Sequence, residues 1–191
     1  MTLLAIILSY LVGSIPAGLW LGLKLRGVDI RRHGSKNIGA TNTMRVLGKR
    51  IGAIALAGDA AKGLIAVLLF GRLAQWQYLP LFCGMAAILG HTTSIFLRFR
   101  GGKGVATGGA VFAALAPIPT AIAVAAFAAV VALTRMVSAG SIVAAIVLAA
   151  SVIGLREQWP IQAAAAAIAL FVIYKHRSNI TRILRGQEDK I

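Results

Sequence analysis

The stretch that decides the fold is residues 105–134, VATGGAVFAALAPIPTAIAVAAFAAVVALT, which contains no charged side chain. A membrane-spanning helix needs about 20 apolar residues, so this run is longer than one span requires. Pro117 and Pro119 stand near its middle, where proline starts a helix more readily than it continues one. The run is therefore either one long helix or two short helices that turn at residues 116–119.

The distribution of basic residues favours two helices. Other apolar runs lie at residues 3–23, 51–71, 79–97, 137–155 and 161–174. If the middle run holds two helices, the chain has seven spans, and the loops on one side hold 17 Lys and Arg against 2 on the other. A single helix gives six spans and a split of 12 to 7. Because loops rich in Lys and Arg stay in the cytoplasm, we expect seven transmembrane helices, with the N-terminus outside and the C-terminal tail in the cytoplasm.

Composition indicates one all-α membrane domain. A mean hydropathy of +0.84 and 13% charged residues leave no room for a separate soluble domain, so residues 1–191 are expected to form a single transmembrane domain. The net charge of +15 would suggest nucleic acid in a soluble protein, but these basic residues lie between apolar runs, and no nucleic acid is expected. No basic residue precedes the first run, which is expected to be a retained span that kinks at Pro16 and frees a carbonyl there.

Two glycine-rich basic loops follow apolar runs and predict an anion site at the membrane surface. The first is residues 34–42, GSKNIGATN, and the second is residues 98–104, RFRGGKG. Hydroxyl, amide and backbone N–H groups in such loops can surround a phosphate. The candidate binding residues are Ser35, Asn37, Gly39, Asn42 and Arg45 in or after the first loop, and Gly101, Gly102, Lys103 and Gly104 in the second.

The second loop is not a nucleotide P-loop. That motif requires a glycine where this chain has Leu97, and a Ser or Thr where it has Gly104. The alternative to a binding role is a basic turn that only sets topology. Three glycines around Lys103 favour binding, because they are expected to expose backbone N–H groups.

Ionisable residues inside the spans are few. Asp59 and Lys62 are three apart, share a helix face and can pair, either as a structural link or as part of the site. His91 is either a packing residue or a ligand or base. Asp29, Asp59 and Asp189 are too scattered along the chain for a metal cluster. We expect no metal and no cofactor.

The C-terminal tail brings further candidates. His176 and Asn179 are three apart at the start of an expected helical turn, so they should point together. The alternative is a basic segment that contacts anionic lipid. Glu188 and Asp189 are the only carboxylates beyond the last span, and an internal tie to a basic loop is expected.

These residues together resemble the bacterial acyl-phosphate-dependent glycerol-3-phosphate 1-acyltransferases, the PlsY family. The resemblance covers most of the chain, and its motifs in chain order are residues 13–18, 29–45, 59–63, 90–91, 99–107 and 176–180, with Glu188. Two departures stand out. Lys36 replaces a usual glycine, which should affect the geometry of the first loop, and Thr93-Ser94 replaces a usual Phe-Pro.

The resemblance implies an activity, its location and roles for particular residues. It implies transfer of a fatty acyl group from acyl phosphate to the 1-hydroxyl of sn-glycerol 3-phosphate, in the bacterial cytoplasmic membrane, with the active site in cytoplasmic loops. It implies that Ser35, Arg45, His176 and Asn179 serve the reaction, that the glycines around Lys103 bind glycerol 3-phosphate, and that Glu188 is structural. The expected partners are the two substrates and membrane lipid, and a monomer is compatible with the sequence.

Other functions fit less well. A transporter of phosphorylated anions should show internal repeats, and the sequence has none. A lipid-binding protein without catalysis would not need two polar loops. Ser35 lacks an evident base with an orienting carboxylate, so we expect direct acyl transfer without an acyl-enzyme.

Overall fold

The computed structural model describes residues 1–191 and is all-helical. It contains ten α-helices and three short 3₁₀ turns, which lie at Ile30–Arg32, Phe70–Arg72 and Ile95–Leu97. The helices are α1 Thr2–Ser14, α2 Ala17–Arg26, α3 Ala40–Leu47, α4 Lys49–Leu68, α5 Leu79–Thr92, α6 Val105–Leu115, α7 Pro117–Thr134, α8 Val137–Gly154, α9 Trp159–Lys175 and α10 Arg177–Leu184. The chain divides into two compact units, Met1–Ala114 and Leu115–Ile191.

The first apolar run is broken where the sequence predicts a kink. Helices α1 and α2 meet at a bend of 44°, because Pro16 has no N–H to donate and disfavours helical geometry at Ile15. The carbonyls that the break releases find partners from elsewhere in the chain. The Lys62 ammonium donates to the Ile15 carbonyl at 3.0 Å, and the Ser94 hydroxyl donates to the Ser14 carbonyl at 2.5 Å.

In the first unit, α1, α4 and α5 pack against one another. The backbones of α1 and α5 approach so closely that a Cβ on Gly13 would overlap Ala87, and one on Gly90 would overlap Tyr10 and Ser14. Small residues at a helix crossing permit this approach in membrane proteins. Helix α6 is fastened to α4, where the Thr107 hydroxyl donates to the Asp59 carbonyl at 2.9 Å.

In the second unit, α8 packs between α7 and α9, and α10 contacts both α8 and α9. Helix α7 ends at Thr134 and is followed by Arg135, which takes a left-handed conformation with φ of 61°. The chain's last residue is tied back to this turn. Ile191 N–H donates to the Arg135 carbonyl at 2.9 Å, and Arg135 Nε donates to an Ile191 carbonyl oxygen at 2.8 Å.

Four helical segments are long and apolar enough to cross a membrane: Lys49–Arg72, Leu79–Leu97, Pro117–Thr134 and Val137–Gly154. The bent pair α1 and α2 makes a fifth if it is one span. Helices α6 and α9 are apolar but shorter. The middle run is divided into α6 and α7 at Ala116, so the two-helix interpretation is confirmed, whereas the number of crossings stays a prediction. Within the run at 79–97, α5 ends at Thr92, and Thr93 and Ser94 lead into the 3₁₀ turn Ile95–Leu97.

Candidate active site

Asn42 organises the first glycine-rich loop from inside. This side chain is 1% exposed. Its Oδ1 accepts from the Ser35 backbone N–H at 2.8 Å, and its Nδ2 donates to the carbonyls of Ile30 and Asn37 at 2.9 and 2.8 Å. A further contact, to the His33 carbonyl, is 3.2 Å long. The amide therefore holds four points of the loop together, and its own polar atoms are used in doing so.

The loop presents Ser35 to solvent. Ser35 and Lys36 are exposed, whereas Asn37 and Gly39 are half-buried, with Asn37 Oδ1 accepting from Gly39 N–H at 3.0 Å. Lys36 has φ of 59°, a left-handed conformation that costs a residue other than glycine roughly 1–2 kcal/mol. Lys36 thus occupies a backbone position suited to glycine, and the loop accommodates it at the expense of strain.

An exposed ion pair orders the start of this loop. Asp29 caps the 3₁₀ turn by accepting from Arg31 N–H at 3.0 Å, and Arg31 Nη2 lies 2.7 Å from Asp29 Oδ2. Hydrogen bonding to the Arg31 guanidinium lowers the pKa of Asp29 to about 2. Asp29 is therefore ionised throughout the neutral range and pairs with Arg31.

The second loop folds back on the end of α5. Gly101 N–H donates to the Thr92 carbonyl at 3.2 Å and Gly102 N–H to the His91 carbonyl at 3.0 Å. A Cβ on Gly101 would overlap the His91 carbonyl, and one on Gly102 would overlap His91 Nε2. The expectation that these two N–H groups are open to phosphate is therefore wrong. Here the glycines permit close approach to α5 and leave Lys103 and the N-terminus of α6 as the candidate anion contacts.

The two loops share one hydrophobic base. Leu19, Ile30 and Ile38 form a buried cluster, and Leu97 packs against it. Ile30 and Ile38 belong to the first loop region, Leu97 precedes the second, and Leu19 lies on α2. Both loops are thus held at the end of the first unit where α2 begins after its bend. Arg45, in the last turn of α3, and Lys103, just before α6, are both half-buried.

A buried cluster of ionisable groups lies in the same unit. Lys62 Nζ is 2.8 Å from Asp59 Oδ1, so the pairing predicted from their spacing is confirmed. His91 Nδ1 lies 3.5 Å from the same carboxylate oxygen, which is too long for a good hydrogen bond. That nitrogen is buried without a hydrogen-bond partner.

His176 and Asn179 are both buried in the second unit, around the junction of α9 and α10. His176 Nδ1 lies 2.8 Å from the Val172 carbonyl. Because a carbonyl can only accept, Nδ1 carries the proton, and Nε2 is the acceptor in the neutral ring. Asn179 Nδ2 donates to Glu188 Oε1 at 2.6 Å.

Glu188 fastens the tail to two helices. Besides Asn179, its carboxylate accepts from Ser138 Oγ at 2.7 Å and from Arg182 Nε at 2.8 Å. Burial alone would raise the pKa of Glu188, but the hydrogen bonds from Ser138, Asn179 and Arg182 outweigh it and hold that pKa below its usual range. The basic partner of Glu188 is Arg182 of α10, and the expected tie to a basic loop stays a prediction. Ser138 was not anticipated, because it lies 50 residues away and no local pattern marks it.

Known proteins are similar to this chain over nearly its whole length. Residues 3–186 match the family model described as glycerol-3-phosphate acyltransferase. The chain is 47% identical over 182 residues to a glycerol-3-phosphate acyltransferase of Trichlorobacter lovleyi, covering 95% of this chain and 93% of that protein. It is 48% identical over 190 residues to the protein of that name from Desulforudis audaxviator, covering 98% and 94%.

Two solved structures are also similar. Both are crystal structures of PlsY (YgiH), an integral membrane glycerol 3-phosphate acyltransferase, one in the glycerol 3-phosphate form and one in the lysophosphatidic acid form. Each superposes with a TM-score of 0.90 and covers 100% of this chain and 95% of that one, at 36% and 35% identity.

Proposed function

Since the chain belongs to the glycerol-3-phosphate acyltransferase family of integral membrane proteins, we propose that it makes lysophosphatidic acid from glycerol 3-phosphate. The observation that carries this proposal is the similarity over the full chain to a structure obtained with glycerol 3-phosphate and with lysophosphatidic acid. The proposed donor is acyl phosphate, and the proposed place is the bacterial cytoplasmic membrane. This step would be the first acylation in phospholipid synthesis.

The proposed chemistry is direct transfer in a ternary complex. The 1-hydroxyl oxygen attacks the acyl carbonyl carbon, the bond from that carbon to the phosphate oxygen breaks, and inorganic phosphate leaves with the electron pair. The hydroxyl proton passes to a phosphate oxygen. Acyl phosphate is already activated, so the protein needs to supply mainly positioning and charge stabilisation.

The residue roles follow from the chemistry of the two loops. Arg45 and Lys103 are proposed to bind the phosphate of glycerol 3-phosphate, because a half-buried cation attracts an anion more strongly than an exposed one. Ser35, held on an exposed turn, is proposed to hydrogen-bond a substrate.

The other loop residues fall into two groups. Asn37, Gly39 and Gly104 are proposed to contact substrate. We propose that Asn42, Gly101 and Gly102 serve binding by shaping the loops, because their polar groups are used within the chain.

We propose that His176 and Asn179, in the second unit, are also required for transfer. In neutral His176 the proton is held on Nδ1 by the Val172 carbonyl, which fixes the tautomer of the ring. Asn179 is held by Glu188, which gives Glu188 its structural role.

We propose seven spans with the N-terminus outside. Helix α6, with 11 residues, covers roughly 16 Å at 1.5 Å per residue, about half of the hydrocarbon core. Its crossing therefore requires that part of the preceding loop lies below the headgroups. Backbone N–H groups that are satisfied within the protein permit this, and those of Gly101 and Gly102 are satisfied by α5.

The test uses purified protein, acyl phosphate and labelled glycerol 3-phosphate, with lysophosphatidic acid as the readout. We expect product with acyl phosphate, none with an acyl thioester, and full activity in EDTA. Initial rates should give intersecting reciprocal plots. Parallel plots, or an acyl group trapped on Ser35 without acceptor, would refute direct transfer, and failure to use acyl phosphate would refute the donor.

A further inference from the structure

We propose that His91 is a positioning residue that supports the second glycine-rich loop, and thereby Lys103, on the buried Asp59–Lys62 pair. The inference rests on the proposed function for its kinetic consequences. Its structural basis is a continuous set of contacts within the first unit.

The first contact joins His91 to the loop. Its carbonyl accepts from Gly102 N–H at 3.0 Å, and the Nε2 edge of its imidazole faces Gly102, where a Cβ would overlap Nε2. Only a glycine fits against the ring edge at that position. This edge therefore limits how closely the loop approaches α5, one residue before Lys103.

The second contact joins His91 to the ion pair. His91 is 4% exposed, and its Nδ1 faces Asp59 Oδ1 at 3.5 Å without making a hydrogen bond. Buried polar atoms without partners are rare and costly, so each one calls for an explanation. With the proton on Nδ1, the carboxylate attracts this edge of the ring, which orients the imidazole and leaves Nε2 directed at the loop.

The third contact prevents the carboxylate from moving. Lys62 Nζ lies 2.8 Å from Asp59 Oδ1 and also donates to the Ile15 carbonyl at the break between α1 and α2. The break, the ion pair, the imidazole and the loop thus form one chain of contacts. Because all three side chains are at most 4% exposed, His91 acts on substrate only through the loop.

The kinetic test uses His91→Asn, which keeps a polar group near Asp59 but removes the Nε2 edge that faces Gly102. We expect the KM for glycerol 3-phosphate to rise about 10- to 100-fold, the range typical of losing the outer contacts that orient the ligands of a metal site. The KM for acyl phosphate and kcat should change much less. A fall in kcat at unchanged KM would overturn the proposal and give His91 a part in the chemistry.

A double-mutant cycle tests whether His91 acts through Lys103. In a Lys103→Ala background, His91→Asn should add little, because the group that it positions is already absent. Full additivity of the two effects would overturn the proposal. Ser9→Ala is the control, since Ser9 is also buried, donates to the Ala5 carbonyl of its own helix and belongs neither to the ion pair nor to the loop.

A steric test approaches from the loop side. Gly102→Ala should be damaging when His91 is present, because the methyl group overlaps the ring. In a His91→Ala background the same substitution should cost little, since the methyl group takes the vacated space. Equal costs in both backgrounds would show that the ring does not support the loop. His91→Asn, whose shorter side chain also leaves the position of Nε2 empty, is the second background if His91→Ala does not fold.

Tryptic cleavage provides a readout that does not depend on activity. Arg98, Arg100 and Lys103 make the loop a trypsin target, and His91→Asn should accelerate cleavage there relative to wild type and Ser9→Ala. If wild type makes no lysophosphatidic acid, the proposed function fails, while faster cleavage would still support the positioning role. Unchanged cleavage in a folded His91→Asn variant would refute it.

Discussion

Lys62→Met is expected to destabilise the protein strongly, because it removes one partner of a buried ion pair. Asp59 is 2% exposed and Lys62 is 4% exposed, with 2.8 Å between Nζ and Oδ1. Met has a similar length and removes only the charge and the donor. The variant leaves the Asp59 carboxylate without its ammonium partner and the Ile15 carbonyl without its donor.

The expected loss is about 3–4 kcal/mol. Breaking one side of a buried pair typically costs roughly 3–5 kcal/mol. The unpaired Asp59 carboxylate can escape this penalty by taking up a proton. Protonating an ordinary aspartate side chain at pH 7 costs about 4 kcal/mol, so the loss cannot exceed that figure. For a chain of this size that corresponds to a fall in the unfolding midpoint of roughly 6–15 °C. Because protonating Asp59 costs less free energy at lower pH, the loss of stability in Lys62→Met should also be smaller there.

Cys83 provides the assay. It is the only cysteine and is fully buried, so a fluorogenic thiol dye reports its exposure on unfolding in detergent. Lys49→Met is the matched control, because Lys49 begins the same helix and is exposed, and surface changes usually stay within about 0.5 kcal/mol.

The double variant Asp59→Leu, Lys62→Met isolates the unpaired charge. Replacing both partners by apolar residues of similar size should restore most of the stability, because no charge is left buried. A double variant as unstable as Lys62→Met would refute this account. So would a Lys62→Met midpoint that matches that of Lys49→Met.

Three further predictions concern the loops and the tail. Lys103→Ala should raise the KM for glycerol 3-phosphate roughly 10- to 100-fold, the equivalent of losing a charge-assisted hydrogen bond, and an unchanged KM in initial-rate assays would make Lys103 a topology signal only. Glu188→Gln should remove an acid-dependent part of the stability: because the native pKa of Glu188 lies below the ordinary 4.5, its contribution is full above that value and is lost as the pH falls through the native pKa. Thermal midpoints measured from pH 7 to pH 3 should therefore fall less steeply in Glu188→Gln than in wild type, and parallel curves would contradict the role of the charge. In a Cys83→Ala background, Gln187→Cys should be shielded from an impermeant thiol reagent in intact cells, Gln77→Cys should react, and labelling of position 187 would refute the seven-span topology.

The sequence alone predicted features that depend on neighbouring residues. Helix breaks at Pro16 and before Pro117 follow from the missing N–H and fixed φ of proline, which act locally. The pairing of Asp59 with Lys62 follows from helical spacing. The family resemblance rests on motifs in chain order, and the full-length comparisons confirm it.

Tertiary structure decided which polar groups are used internally. The sequence predicts that Gly101 and Gly102 expose N–H groups, but the close approach of α5 consumes both. Asn42 was expected to contact an anion, and the fold surrounds it with four partners in its own loop. His91 could not be assigned a role until the ion pair and Gly102 were placed on either side of its ring. Hydrogen bonds join groups that are close in space, and residues far apart in the chain carry no local pattern that reveals them, as between Ser138 and Glu188.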